Sequence, residues 1–411
     1  MREKITTAVN YINLFGMLFL TATVIINSLP LRQIGYYIFL ISYMFEFFLE
    51  KKWQNIQFQR RHIYYLGMFL FFVLAFLYYP FDSNTYFKKL IEYRYPLLGF
   101  AIVGFFGVNS KYKLNYFLNT FIISAVAVVL YLIFFKVGIV EFILNPERDA
   151  LFTFYRIENL TAHMMFNFCL NISLISIWYI LTRSWKRIAN WRRFLYIAAL
   201  TILFFMLYLS EGRSGFLASI MLMSAFVFFE VWKRIRTVGF IVALLIPFVF
   251  VGLASHHERM SEQMLKGEAR LFLWKAAVEV VKEKPIFGNG ISTAQEKYNI
   301  YRDKHETAQF KVYRLDKQKN AMVDCHNQYL QTTMEFGIVG LCLLLFLYVF
   351  PFFIVEERRK LFSFFLLALS AYQSIFDMFM TAQFATVFCI LIVLILNVKN
   401  DVVIQQSTDI S

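Results

Sequence analysis

Charge, cysteine and familiar catalytic signatures are all scarce in this chain. Only 17% of its 411 residues are charged, and they stand in short clusters between long apolar runs, which excludes an ordinary water-covered globule. Acidic residues are outnumbered, 27 against 41 Lys and Arg, for a net charge of +14. In a soluble chain that surplus would suit nucleic acid, but no aromatic-basic surface motif accompanies it. Retention of positive residues on the cytoplasmic side of a membrane accounts for it more simply. Four cysteines build no disulfide framework: Cys169, Cys342 and Cys389 lie in apolar runs, and Cys325 is alone in the one large loop. HExxH, GxSxG, Walker A and GxGxxG are missing in any suitable context, which removes the commonest metalloprotease, hydrolase and nucleotide-binding readings. His256 and His257 with Glu258 lack zinc-ligand spacing, so no metal site is expected. No small-residue cleavage site follows the basic start at Arg2 and Lys4, so the first apolar run reads as a retained helix. Internal repeats and low-complexity tracts are lacking too, and no soluble domain is expected before or after the apolar runs.

What the chain has in abundance is apolar and aromatic side chains: 59% hydrophobic residues, 50 Phe and 24 Tyr. A hydrocarbon core of ~30 Å is crossed by roughly 20 apolar helical residues. Runs of about that length stand at 8–29, 33–49, 63–80, 95–108, 114–137, 161–182, 194–210, 215–232, 237–254, 337–354, 361–379 and 382–398. The expected fold is therefore an all-α polytopic membrane protein of about 12 transmembrane helices. An even number puts both termini on one side. With the N-terminus cytoplasmic, the inside loops and tail carry 20 Lys and Arg. The short outside segments carry 8, namely Arg32, Lys88, Lys89, Arg94, Lys136, Arg148, Arg156 and Arg213. This asymmetry sets the orientation and leaves the large loop outside. The expected organisation is nine helices over 1–254, a loop domain over 255–336, and three helices with a short cytoplasmic tail over 337–411.

The loop has its own pattern. EARLFLWKAAVEVVKEK, residues 268–284, predicts an amphipathic helix with Leu271, Trp274, Val278 and Val281 on the face toward the membrane part. Pro285 stops it, and PIFGNG supplies a turn. Residues 293–320 are polar and read as a mobile or partner-facing stretch. A second helix is expected from about Asn320, carrying His326 and ending at Gly337.

Ionisable groups at a membrane are costly unless paired or used, so each is a candidate. Arg213, in SEGRSGF, is either a snorkelling interfacial arginine or a phosphate-binding one, since a planar guanidinium grips phosphate bidentately. Arg270 opens the loop helix beside Glu268 and suits either a salt bridge or a lipid-linked anion. His326, flanked by Asp324 and Asn327, is either structural or a proton acceptor for a hydroxyl nucleophile. Arg94, Arg148, Arg156 and His163 approach the outer side as candidate substrate-cavity residues, as does Asn327 beside the histidine, with interfacial anchoring the competing account of the charged ones. Glu211 and Asp377 are either supporting partners or paired charges. An outer cavity of arginines with one histidine fits a lipid-linked phosphate, and fits a transporter of an anionic substrate equally.

At SEGRSGF, EARLFLWKAAVEVVKEKPIFGNG and HNQYLQTTMEFGIVG the chain resembles the O-antigen ligase/polymerase superfamily of bacterial membrane glycosyltransferases. Order, spacing and placement around one late loop all match over about 210–345. The resemblance implies a GT-C-like fold in the inner membrane with the large loop periplasmic. It implies transfer of a glycan from undecaprenyl diphosphate to a sugar hydroxyl of lipid A–core in the ligases, or to another lipid-linked repeat unit in the polymerases. By position, Arg213 and Arg270 look like the arginines that hold the donor diphosphate, and His326 like the histidine that activates the acceptor. The implied reaction is inverting and uses neither metal nor cofactor. The single large late loop and the length resemble the ligases more than the polymerases.

Overall fold

The computed structural model describes residues 1–77, 84–144, 160–210, 213–236, 241, 269–305 and 324–398. Among them the secondary structure is helix without strand, as a chain reading for the hydrocarbon phase requires when each backbone group must be satisfied within its own segment. The helices are α1 Arg2–Thr23, α2 Leu29–Leu49, α3 Arg60–Leu77, α4 Asn84–Phe106, α5 Leu114–Tyr131 with a π-turn Leu132–Val137, and α6 Ile139–Leu144. They continue as α7 His163–Ser184, α8 Asn190–Leu209, α9 Arg213–Arg234, α10 Ala269–Glu283, α11 Ile291–Lys304, α12 Gln328–Ile354, α13 Lys360–Phe376 and α14 Ala382–Asn397. Every expected apolar run falls on a helix except 237–254, which lies outside the described residues apart from Ile241. Among the described residues six helices are long and apolar enough to cross a membrane: α1, α5, α7, α8, α9 and α12; α14 and the Arg94–Phe106 part of α4 are apolar but shorter. The chain is thus an all-α, multi-pass membrane protein.

Packing follows the distribution of apolar residues around each helix. The crossing stretch of α7 is 94% buried, because apolar residues are spread around it with no polar face for solvent, and it is wrapped by α5, α8, α9 and α13. Along α14 the same holds, with Phe388 to Leu394 sealed against α4, α12 and α13. The peripheral helices instead turn Phe15, Phe45, Phe194 and Phe353 outward, the exposed aromatic surface that a lipid phase accepts.

The loop segment forms a second, smaller core of Leu273, Ala276, Ala277, Val280, Ala294, Tyr298, Cys325 and Met334. Three expectations change here. The buried face of α10 is Leu273, Ala276, Ala277 and Val280, while Leu271 and Val278 are exposed. Two small alanines let α10 approach α11 and α12 closely, a fit that the bulkier face could not make. The polar stretch after 290 begins as an ordered helix, α11, which buries Ala294 and Tyr298; residues 306–323 lie outside the described part. Finally, α12 begins at Gln328 with Asn327 as its N-cap, so His326 precedes the helix instead of riding on it.

One interlock fixes the loop to the membrane helices. Gly337, at φ 63° and ψ −158°, breaks α12, and the PIFGNG turn fills the break. The amides of Asn289 and Gly290 donate to the carbonyls of Met334 and Glu335 at 2.9 Å each, and Ile338 N donates to Pro285 O at 2.9 Å. Backbone groups orphaned by the kink are therefore paired across the two segments. Gly288 also has positive φ, and a Cβ on it would meet Phe336 N, while one on Gly337 would meet Ile286 O. Gly337→Ala combines a backbone region reserved for glycine with a backbone collision. We expect it to destabilise the protein by about 3 kcal/mol or more, read as a lowered melting temperature and lost detergent-stable expression.

Candidate functional site

The three motif segments meet at the C-terminal end of α13. His326 lies in a turn at φ 47°, a left-handed conformation that few side chains adopt and that His tolerates better than most. Asp324 holds it there: its Oδ1 accepts from His326 N at 2.9 Å and stands 3.3 Å from the imidazole Nδ1. Downstream, Asn327 Oδ1 accepts from Leu330 N at 3.0 Å and caps α12. Asp377, directly after α13, places its Oδ1 at 3.8 Å from the same Nδ1, a charge contact longer than a hydrogen bond. The ring is 28% exposed, so it is partly shielded but reachable.

These carboxylates set the histidine's basicity. Burial acts to lower its pKa, the interactions with Asp377 and Asp324 raise it by more, and Arg270 lowers it again; the balance lies above the usual histidine value. The turn is braced from behind. Gln328 Oε1 accepts from Met380 N at 2.8 Å, and Tyr329 OH donates to Ala371 O at 2.8 Å, so α12 is pinned to both sides of Asp377. Cys325 Sγ donates to Asn327 O at 3.2 Å, and its thiol is held protonated by burial.

Arg270 stands in the first turn of α10 with its guanidinium carbon 5.9 Å from the Phe376 ring centre, one residue from Asp377. It is close enough to His326 and Tyr372 to act on both electrostatically. The turn before α9 reaches the same place by its backbone. Tyr372 OH donates to Ser214 O at 3.1 Å, Asn171 Nδ2 donates to Gly215 O at 3.0 Å, and Ser210 Oγ donates to Asn167 Oδ1 at 2.8 Å. Gly215 is needed for this approach, since a Cβ would collide with the Asn167 side chain. Arg213 begins α9 beside these anchors; its side chain, and Glu211 and Gly212, are outside the described part. Tyr372 thus links the Arg213 turn to Arg270.

The other predicted residues are placed differently. Arg94 is buried, and its Nη2 pairs with Glu335 Oε2 at 2.5 Å between the Phe71 and Phe336 rings. Gln331 Nε2 donates to the other Glu335 oxygen at 2.8 Å. Removing either charge would strand its partner in a dry site, at a cost of about 3–5 kcal/mol. Asn327 is occupied as the helix cap. His163 opens α7 and is partly buried. Arg148 and Arg156 lie outside the described residues. Sequence reading missed Tyr372 and left Asp377 undecided, because a tyrosine at the end of an apolar helix gives no local signal; only its partners distinguish it.

One observation connects this cluster to known proteins. Residues 198–345 match the O-antigen ligase family. The matched segment runs from within α8 into α12 and contains Arg213, Arg270, PIFGNG and His326, whereas Arg94 and His163 fall before it. It bears out the resemblance to the O-antigen ligase/polymerase superfamily and supports a membrane glycosyltransferase type of activity in lipopolysaccharide biosynthesis. No curated protein and no solved structure matches the chain.

Proposed function

We propose that this protein is an O-antigen ligase that moves a glycan from undecaprenyl diphosphate to a sugar hydroxyl of lipid A–core at the periplasmic face of the inner membrane, with both termini cytoplasmic. The observation that carries this reading is the convergence of His326, its two carboxylates and Arg270 on the end of α13, beside the Arg213 turn.

The chemistry follows from the placement. Asp324 and Asp377 face Nδ1, so that nitrogen keeps its proton and Nε2 presents the lone pair. As the acceptor oxygen attacks the anomeric carbon, its proton passes to Nε2. The bond from that carbon to the diphosphate oxygen breaks, and the leaving diphosphate takes the electron pair. Attack opposite the leaving group inverts the anomeric centre. Arg270 and Arg213 stabilise the charge gathering on the diphosphate, which fixed guanidiniums do without a metal ion. His163 and Arg156 remain proposed contributors to the substrate cavity. Asn327, committed to the helix cap, serves substrate by holding the His326 turn in place, and Arg94, committed to Glu335, serves it by bracing α12.

The base must be neutral to act, so activity falls as pH drops through its pKa. With that pKa raised, the acid limb of the pH–rate profile lies above the usual histidine range. Asp377→Asn removes a raising charge, and we expect the limb to move to lower pH; a limb that stays in place would separate Asp377 from His326 function. The reaction itself is tested by the lipopolysaccharide profile of a deletion strain together with its lipid-linked glycans. Long polymer on undecaprenyl diphosphate beside bare lipid A–core is the expected result. Core bearing one repeat unit would assign a polymerase instead, and an unchanged profile would overturn glycosyl transfer in favour of transport.

A further inference from the structure

Arg32 stands in the first turn of α2, after the Ser28 N-cap. It is 7% exposed, and its Nε and Nη1 are buried without a hydrogen-bond partner. The titratable neighbour that acts on it is the Tyr95 phenol; no carboxylate among the described residues pairs with it. Among the described residues the other buried cations are matched: Arg94 meets Glu335, Lys52 meets Glu46 at 2.5 Å, Arg302 meets Asp303 at 2.9 Å, and Arg359 Nη1 donates to Ile395 O at 2.9 Å. Arg32 is unfavourable twice over. A desolvated cation without a counter-ion costs free energy, and a cation in the first helical turn opposes the macrodipole.

Its position gives the cost a use. Asn27 N donates to Leu160 O at 2.7 Å, just ahead of His163, where α7 begins without a side-chain cap. Gln383 Nε2 donates to Val24 O at 2.7 Å, and Met380, three residues earlier, is tied to Gln328. The start of α2 is therefore at the same end of the bundle as His326, beside a second helix N-terminus that adds positive potential. Arg32 and Arg270 act on different groups, Tyr95 in one case and His326 and Tyr372 in the other.

We propose that Arg32 anchors a lipid-borne phosphate at this end of the bundle, at a site separate from the one around Arg270. A guanidinium fork suits a phosphate ester or diphosphate, and a buried cation without a counter-ion implies a partner. Two sources carry that chemistry: the acceptor lipid of the transfer reaction, and bulk anionic phospholipid. Only the assignment to the acceptor rests on the glycosyl-transfer reading.

The test uses the full-length protein in detergent, with undecaprenyl diphosphate as the probe and bound lipids counted by native mass spectrometry. Wild type is expected to hold one more lipid than Arg32→Met, which should bind that lipid at least about tenfold more weakly, while Arg270→Gln retains it. In lipid-free samples Arg32→Met should melt at a higher temperature than wild type, because a buried unmatched charge is replaced by an apolar chain of similar length. Displacement of the extra lipid by excess phosphatidylglycerol would identify bulk phospholipid as the occupant, and displacement by lipid A–core but not by phosphatidylglycerol would identify the acceptor. Equal lipid counts in wild type and Arg32→Met, or a lower melting temperature for the lipid-free variant, would overturn the site. Loss of the glycosyltransferase reading by the lipopolysaccharide profile, with the lipid count still dependent on Arg32, would leave the anion site standing.

Discussion

His326→Ala is expected to lower transfer by about 10²–10⁴-fold, the contribution of a positioned general base, while the protein still inserts in the membrane. The backbone complicates a simple alanine replacement, since His326 sits at φ 47° and alanine there costs about 1–2 kcal/mol. His326→Asn removes that ambiguity. Asparagine accepts the left-handed conformation, keeps the amide that Asp324 holds, and has no titratable nitrogen. Equal activity loss in both variants assigns the effect to the imidazole. Activity retained in His326→Asn would remove proton transfer from the residue and leave it a structural turn. The measurement is glycan transfer in purified membranes, normalised to inserted protein.

Arg270→Ala is expected to reduce turnover by about 10²–10³-fold, as for loss of one fixed charge-stabilising donor. A second signature separates this loss from a folding defect. Arg270 now lowers the His326 pKa, so its removal should carry the acid limb of the pH–rate profile to higher pH, opposite to Asp377→Asn. Arg270→Lys should return the limb toward its wild-type position by restoring the charge. Its rate should stay below wild type, because an ammonium lacks the bidentate fork for diphosphate. Unaltered turnover in Arg270→Ala would detach the residue from the leaving group. The two-way movement of one limb under two substitutions is a pattern that general destabilisation does not produce.

The helices of this protein were legible because each apolar run carries its own instruction: a backbone surrounded by apolar side chains closes its hydrogen bonds locally. The amphipathic loop helix was legible for the same reason, but its buried face was not. Leu271 and Val278 are more hydrophobic than Ala276 and Ala277, yet the alanines are sealed and the larger residues exposed. Hydrophobic size predicts the face toward a flat surface; close helix contact selects small residues instead. Arg94 shows the same limit at a charged position. Its identity suggested an anion-binding role, but its partner Glu335 lies 241 residues away in sequence, and nothing local announces that pairing.

Residue types and their local spacing thus determined the all-helical membrane character, the interruption at PIFGNG, and the three segments holding Arg213, Arg270 and His326. Their assembly was decided in three dimensions. Asp377 reaches His326 only because Gln328 and Tyr329 dock α12 against both sides of it, and Tyr372 joins the Arg213 turn to Arg270 only because α13 passes between them. The break at Gly337 becomes a joint only when the PIFGNG backbone fills it. The physical reason is the range of the forces: hydrogen bonding within a helix acts over one turn and is written into the local sequence, whereas the pairing of distant polar groups depends on how whole helices pack.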